Sequence, residues 1–304
     1  MENNDFYAAF QIDCEATQHA INDAGLGERA SRGFADLLEG DGFRGTFFVI
    51  PTDIEASGKL YQELVQRGHE VGLHIHPADL GYQEFLGVYG LDEQLEIINI
   101  ATDRFAQIMG YRPKGICIGY VSGNDYTFNA MVKAGFKHGM LSIPTRVLTS
   151  CASVWAGAPL DIHYANAYNR ILSGTLDLVD VPLTIDPESR MWGGLHPQDL
   201  RIELVDAKNH WYTIKKEVDR KIRCNSPVKY LLSITHNTFD YSDAGNFRTI
   251  TLKKVLSHIR NIVVDTGGMV KKATMADIAA FYRKVCPLTE MKDPQLALDT
   301  SGRS

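Results

Sequence analysis

Two histidines, His74 and His76, stand one residue apart near the end of the run R-G-H-E-V-G-L-H-I-H-P at Arg67–Pro77. Residues two apart in a β-strand share a face, so H-x-H at a strand end brings two imidazoles into one small volume. Neutral imidazole is a good ligand for zinc and its neighbours. Asp13 and Glu15 repeat the spacing with carboxylates, just after the apolar run Tyr7–Ile12. His236 ends the run V-K-Y-L-L-S-I-T, and Arg112 stands near the start of Y-R-P-K-G-I-C-I-G. One carboxylate with two histidines fills three positions of a catalytic zinc-type site and leaves a fourth for water. A second carboxylate can take a proton from that water, and a histidine across the site can protonate a leaving group. This is the equipment of metal-assisted amide or ester hydrolysis. Each residue also has a plainer reading: a strand-edge polar group, a helix cap, a surface arginine or a buried, hydrogen-bonded histidine.

Such groups cooperate only if strands carry them to a common end. Apolar and β-branched runs at Tyr7–Ile12, Gly45–Ile50, Glu70–His76, Tyr111–Gly119, Leu176–Val181 and Val228–Thr235 read as strands, with a short one at Met269–Val270. Between them, apolar residues at helical spacing mark helices. Asp92, Asn124 or Asp125, and Thr274 are plausible caps, and Asp199 opens a helical stretch running to about Arg223. Roughly seven strand-plus-helix units predict a single α/β domain, a distorted TIM-barrel-like (β/α)7 barrel over residues 1–286, with an open doubly wound sheet as the alternative. In such a barrel the strand ends converge on one face. Residues 140–173 lose periodicity and read as an aromatic-rich excursion. There Trp155 and Tyr168, with Trp192 further on, could form a wall against a sugar face, or an oligomer contact. Residues 287–304 read as a flexible tail.

The composition excludes some classes. With 304 residues, 44% hydrophobic and 22% charged, the chain is an ordinary globular one. A net charge of −6 and the lack of a basic run argue against nucleic acid as a partner. No G-x-G-x-x-G follows the first strand, and no P-loop motif is present. Five scattered cysteines, no visible signal peptide and no spanning apolar run lead to the expectation of a cytoplasmic enzyme, monomeric or a homo-oligomer.

Several of these stretches, taken in order, resemble the polysaccharide deacetylase family, the group with the NodB homology domain. Gly45-T-F-F-V-I50 is similar to its second strand and Gly68-H-E-V-G-L-H74 to its second motif. Tyr111-Arg-Pro113 resembles the third motif, followed by the helix-like Asn124-D-Y-T-F-N-A-M-V-K-A-G-F136. Val181-Pro182 and Leu231-L-S-I-T-H236 resemble the fourth and fifth. The resemblance spans about Tyr7 to Tyr282. It implies a distorted (β/α)7 barrel and divalent-metal-dependent removal of N-acetyl groups from sugars. By it, Asp13 is the base, Glu15 a metal ligand, His236 the acid and Arg112 the group that orients the base, with Asp13 and Glu15 open to exchanging roles.

The chain departs from the family twice. The usual T-F-D-D is Ile12-Asp-Cys-Glu15 here, and the position four beyond His74, which usually carries the second histidine, is Ala78. His76, followed by proline, is the substitute ligand; Asp79, His163 and His196 are alternates. His69 reads as structural, and alternation turns Cys14 away from its carboxylate neighbours. Zinc is the expected ion, with cobalt, nickel, manganese or iron fitting an N/O site nearly as well. The expected substrate is an N-acetylated (or O-acylated) sugar or glycan intermediate. A hydrolase of non-sugar linear or cyclic amides, and a glycan-binding or scaffolding domain without chemistry, are the competing readings.

Overall fold

In the computed structural model, which describes residues 4–19, 21 and 23–293, strands and helices alternate from the start. They run β1 (Phe6–Cys14), α1 (Leu26–Gly40), β2 (Thr46–Val49), α2 (Pro51–Gln66), β3 (Glu70–Ile75), α3 (Leu91–Met109), β4 (Gly115–Ile118), α4 (Thr127–Ala134) and β5 (His138–Met140). After the short strands β6 (Val147–Leu148), β7 (Ser153–Val154), β8 (His163–Tyr164) and β9 (Val179–Asp180) comes a hairpin, β10 (Ile185–Met191) and β11 (His196–Asp199). The chain ends with α5 (Ala207–Arg223), β12 (Tyr230–His236), α6 (Phe247–Asp265), β13 (Val270–Lys272) and α7 (Met275–Val285).

The main sheet runs β12-β1-β2-β3-β4-β5-β9-β8, and β13 joins β1. Every pair from β12 to β9 is parallel, seven strands in all, while β8 joins antiparallel; β5 is a strand the sequence does not predict, and the expected short last strand is β13, parallel to β1. This is the distorted (β/α)7 barrel. β1 is buried along nearly its whole length, as expected of a parallel strand covered on both faces. β9 and β12 have no ladder between them. Single backbone bonds span the gap: Leu200 N–H to Thr184 O at 3.0 Å, Ile202 N–H to Ile234 O at 3.0 Å, and Ile234 N–H to Leu200 O at 3.2 Å. The barrel is therefore regular on one side and stitched on the other.

Several expectations change in detail. α5 starts at Ala207, where the Asp206 carboxylate accepts from Asn209 N–H; Asp199 ends a strand instead of opening a helix. α3 is entered from Gly90, and the helix after Asn124 starts at Thr127. Thr274 does cap α7, through a reciprocal bond pair with Asp277. Val179–Asp180 is all that forms strand from the Leu176–Val181 run. Of the tail, Leu288–Glu290 make a helical turn whose Leu288 packs on the core, and residues 294–304 lie outside the described ones.

Candidate active site

The ends of β1, β3, β4 and β12 surround a cavity of about 260 Å³. Asp13, Glu15, His74, His76 and His236 line it, together with Tyr120, Arg146, Trp192 and Arg201. Register brings the first group together: Asp13 pairs with His236 between β1 and β12, and His74 with Cys117 between β3 and β4. Alternation sends Cys14 the other way, 3.7 Å from Ser31 on α1.

Glu15 is the centre of the cluster. Its Oε2 lies 3.2 Å from His74 Nε2 and 2.8 Å from His76 Nε2, and its Oε1 3.0 Å from His19 Nε2. Burial works against the charge, but these imidazoles hold the Glu15 carboxyl well below the usual carboxylate range. The backbone at Glu15 is tied down from two elements. Its N–H donates to Asn237 Oδ1 at 2.8 Å, and Asn237 in turn donates to Asp53 at 2.8 Å. Asp53 accepts from the backbone of Ala16 and Thr17.

The donor set fits a divalent ion. One carboxylate oxygen and two imidazole nitrogens from Glu15, His74 and His76 lie within 4.8 Å of one another, all buried. His76 carries the stronger argument. Its Nε2 faces Glu15 and its Nδ1 faces Glu84, so both nitrogens meet acceptors. Burial opposes a charge there, yet the two carboxylates push His76 up to about 9. An imidazole held this way wants a proton at Nδ1 for Glu84 and a positive centre at Nε2, the pattern by which an outer carboxylate orients a metal-bound histidine. A second grouping, Asp13, His74 and Cys117, is also close enough, but burial and Asp13 push the Cys117 thiol well up, away from the thiolate a metal needs. Gly119 makes room for the His76 ring, since a Cβ there would come within 2.5 Å of it.

Asp13 and His236 flank the cluster. Asp13 Oδ2 is 4.0 Å from His74 Nε2, and Oδ1 accepts from Gln11 at 2.6 Å. His236 Nδ1 lies 2.6 Å from Glu203 Oε1, and its Nε2 faces the cavity, 3.9 Å from Glu15 Oε1. Burial alone would lower His236, but the Glu203 charge outweighs it and raises it.

The other expected residues fare differently. Arg112 is absent from this cavity. It stands half-exposed, 2.7 Å from Asp103, because it precedes β4 and so lies at the opposite end of the barrel. Arg201 and Arg146 supply the cavity's guanidinium groups. Trp155 is no substrate wall. It is fully buried, stacked on Phe128, with its indole N–H donating to Val121 O at 2.9 Å. Tyr168 is 82% exposed and outside the cavity. Trp192 does line it, half-exposed at the hairpin tip and stacked on His196 at 4.3 Å. His196 lies behind it, bonded to Asp199 at 3.0 Å. His163 is buried near Asp180 on the far edge of the sheet. Asp79 bonds to Thr52 at the start of α2. His69 accepts from Gly45 N–H at 2.8 Å and contacts Glu39 at the far end of β3, a structural role. Glu84, Glu203, Arg201, Arg146 and Asn237 were missed. Asn237 alone carried a signal, as the polar residue directly after His236.

The family model described as polysaccharide deacetylase matches residues 21–139. No protein of curated function matches the chain. Among solved structures, one from Mycobacterium smegmatis assigned to the polysaccharide deacetylases is similar at 14% identity and a TM-score of 0.63, covering 98% of this chain and 96% of that one. A probable polysaccharide deacetylase from Pseudomonas aeruginosa PAO1 shares 15% identity at a TM-score of 0.63, over 94% of this chain and 93% of its own. The Puue allantoinase shares 14% identity, also at 0.63, over 94% and 92%.

Proposed function

We propose that the chain, which is similar to the polysaccharide deacetylase family over residues 21–139 and shares its fold with structures assigned to that family, is a metal-dependent hydrolase that removes an N-acetyl or O-acyl group from a sugar or glycan intermediate. The carrying observation is the meeting of Glu15, His74 and His76 between Asp13 and His236. Glu15, His74 and His76 would hold the ion, zinc being expected from the donor set. When bound, the ion would polarise the acyl carbonyl and acidify water. Asp13 takes the proton from the attacking water. His236, fixed through Nδ1 by Glu203, gives its Nε2 proton to the leaving nitrogen. Arg201, 3.8 Å from Glu203 and 3.5 Å from His236 Nε2, keeps this side of the cavity ordered. Five free cysteines suit a cytoplasmic setting.

The test is acetate release from a panel of N-acetylated sugars, read beside metal content. Asp13→Asn is expected to keep the ion and lose about 10²–10⁴-fold in turnover. Unchanged turnover would remove Asp13 as the base. Metal uptake without turnover of any member would turn the reading toward a binding domain. A second reading, hydrolysis of a non-sugar amide by the same residues, draws on the fold shared with an allantoinase. The same panel with simple amides added separates the two.

A further inference from the structure

Arg146 is 4% exposed and lines the cavity. One terminal N–H donates to the Tyr120 carbonyl at 3.0 Å. Its Nε is buried with no hydrogen-bond partner among the described residues, and no ion pair among them involves it. The largest charge influence on it is another cation, Arg201, itself shared between Asp199 and Glu203 at 3.8 Å each, while Asp199 acts on Arg146 more weakly in the opposite sense. Burial and Arg201 push Arg146 down to about 10, which still leaves it charged at neutral pH. A buried guanidinium with no carboxylate bonded to it is disfavoured unless something else brings an anion within reach.

The chain also holds Arg146 in place against local preference. Thr145, just before it, has φ 67°, and Tyr120, whose carbonyl it meets, has φ 58°. Arg190 grips Thr145 at Oγ1 (2.7 Å) and O (3.0 Å), and Thr145 N–H donates to Trp155 O at 3.0 Å. Left-handed backbone at non-glycine residues persists where the surroundings over-determine it, and it gathers at ligand sites.

We propose that Arg146, beside Arg201, is an anion subsite of this cavity, and that the compound processed there is a small N-acylated molecule bearing a carboxylate. The inference rests on the hydrolase reading for what happens to the ligand, and on the unpaired guanidinium for its charge. A planar guanidinium matches a carboxylate through two parallel N–H···O bonds. The cavity, about 260 Å³, falls just below the roughly 300–1,000 Å³ of small-molecule pockets, which suits one ring or less better than a polymer.

The experiment measures binding to the metal-loaded protein of two matched pairs by calorimetry. The pairs are N-acetylglycine with N-acetylglycinamide, and N-acetylmuramic acid with N-acetylglucosamine. In each pair the first member carries the carboxylate and the second is uncharged. The acid is expected to bind about tenfold tighter than its neutral partner, as a charge-assisted pair in a dry site gives. Arg146→Met should erase that preference and leave the neutral member's affinity unchanged. A preference in the sugar pair alone assigns an acidic sugar; one in both pairs assigns recognition of the acid without a ring. A carboxylate landing on the metal would keep its preference in Arg146→Met, and that result overturns the proposal. So do equal affinities within both pairs in the wild type, or inorganic phosphate binding more tightly than either acid. If Arg146→Met does not fold, Arg146→Lys decides: a weakened preference supports the subsite and an unchanged one removes it. Binding needs no turnover, so an inactive protein that keeps the charge preference refutes the hydrolase reading and spares this one.

Discussion

The cavity has two walls built in different ways. One is the ends of β1, β3 and β12, where Asp13, Glu15, His74, His76 and His236 follow from strand alternation. The other comes from residues 141–203, where Arg146, Trp192 and Arg201 arrive on short strands, a hairpin tip and a ladderless stretch. On the proposed reading the first wall bears the groups that would transfer protons and hold an ion. The second bears the groups that meet whatever lies opposite. Regular secondary structure is stiff and supplies the close tolerances of ligation, while irregular chain is free to vary and supplies recognition.

The largest effects should come from the first wall. Glu15→Gln or His76→Ala removes a ligand atom from the buried cluster. Metal affinity is expected to fall by more than the 10–100-fold typical of an outer partner, on the order of 10³-fold, measured by competition with a chelator. Retained affinity in His76→Ala would move the second ligand elsewhere and erase the difference between the walls.

The second wall separates a tryptophan that supports it from behind from one that faces the cavity. Trp155 is fully buried and ties the Val121 turn, where φ is 50°. Trp155→Ala is expected to lose about 3–5 kcal/mol in chemical denaturation. Trp192→Ala, half-exposed at the hairpin tip, should leave stability near wild type and raise KM. Equal losses for the two tryptophans would deny that only one is a cavity residue.

Acid sensitivity sharpens the same contrast. His210, on α5 in the field of Asp199 and Glu203, is fully buried, and neither ring nitrogen has a hydrogen-bond partner among the described residues. Burial pushes it down to about 4 from the ordinary 6.5, although those carboxylates pull the other way. The unfolded chain therefore binds the extra proton more readily. The stability this gives is complete above about pH 6.5 and is lost as pH falls toward 4, up to roughly 3 kcal/mol. His210→Gln should flatten that part of the stability curve; an unchanged curve would assign the acid loss to another group.

The two walls also mark how far the sequence could be read. Period-two alternation and a histidine closing an apolar run suffice to find Asp13, Glu15, His74, His76 and His236, and the order of the apolar runs yields every strand of the parallel sheet except β5, whose three residues are too few to show a period. The hairpin of β10 and β11 was hidden because its polar strands, I-D-P-E-S-R-M and H-P-Q-D, show neither period. Arg201 was hidden because its stretch makes single bonds and no ladder. Trp155 misled because aromatic content in an unpatterned segment says nothing about which way a ring faces; here it faces the core beside Phe128. Glu84 and Glu203 meet His76 and His236 from eight and 33 residues away, offsets that neither the strand nor the helix period encodes.

Glu84 tests that relation with a moderate effect. Its carboxylate meets His76 Nδ1 and also accepts from Gln18 at 3.2 Å. Glu84→Gln keeps the size and loses the charge, so metal affinity should fall about 10–100-fold, the range for an outer partner of a ligating histidine. A loss as large as that of His76→Ala would make Glu84 a ligand.

The smallest effect belongs to Arg112, where sequence and structure disagree most plainly. Its place in Y-R-P resembles a base-orienting arginine. Yet Pro113 and Lys114 still intervene before β4 begins at Gly115, so Arg112 precedes the strand, and in a parallel barrel the active face gathers at strand C-termini. Its guanidinium instead meets Asp103 in the second half of α3, with both side chains more than half exposed. An exposed pair of this kind adds little, so Arg112→Ala should shift stability by less than about 0.5 kcal/mol and leave kcat/KM within about twofold. Arg201→Ala should lower kcat and shift the alkaline limb of its pH profile, because Arg201 stands beside His236 and Glu203 and its charge lowers the proton affinity of His236. The sign follows from that charge: without it the acid limb stays in place and His236 keeps its proton to higher pH. If Arg112→Ala produced that shift and Arg201→Ala did not, the orienting arginine would lie at the other end of the barrel, and the division of labour between the two walls would fail at the residue that joins them.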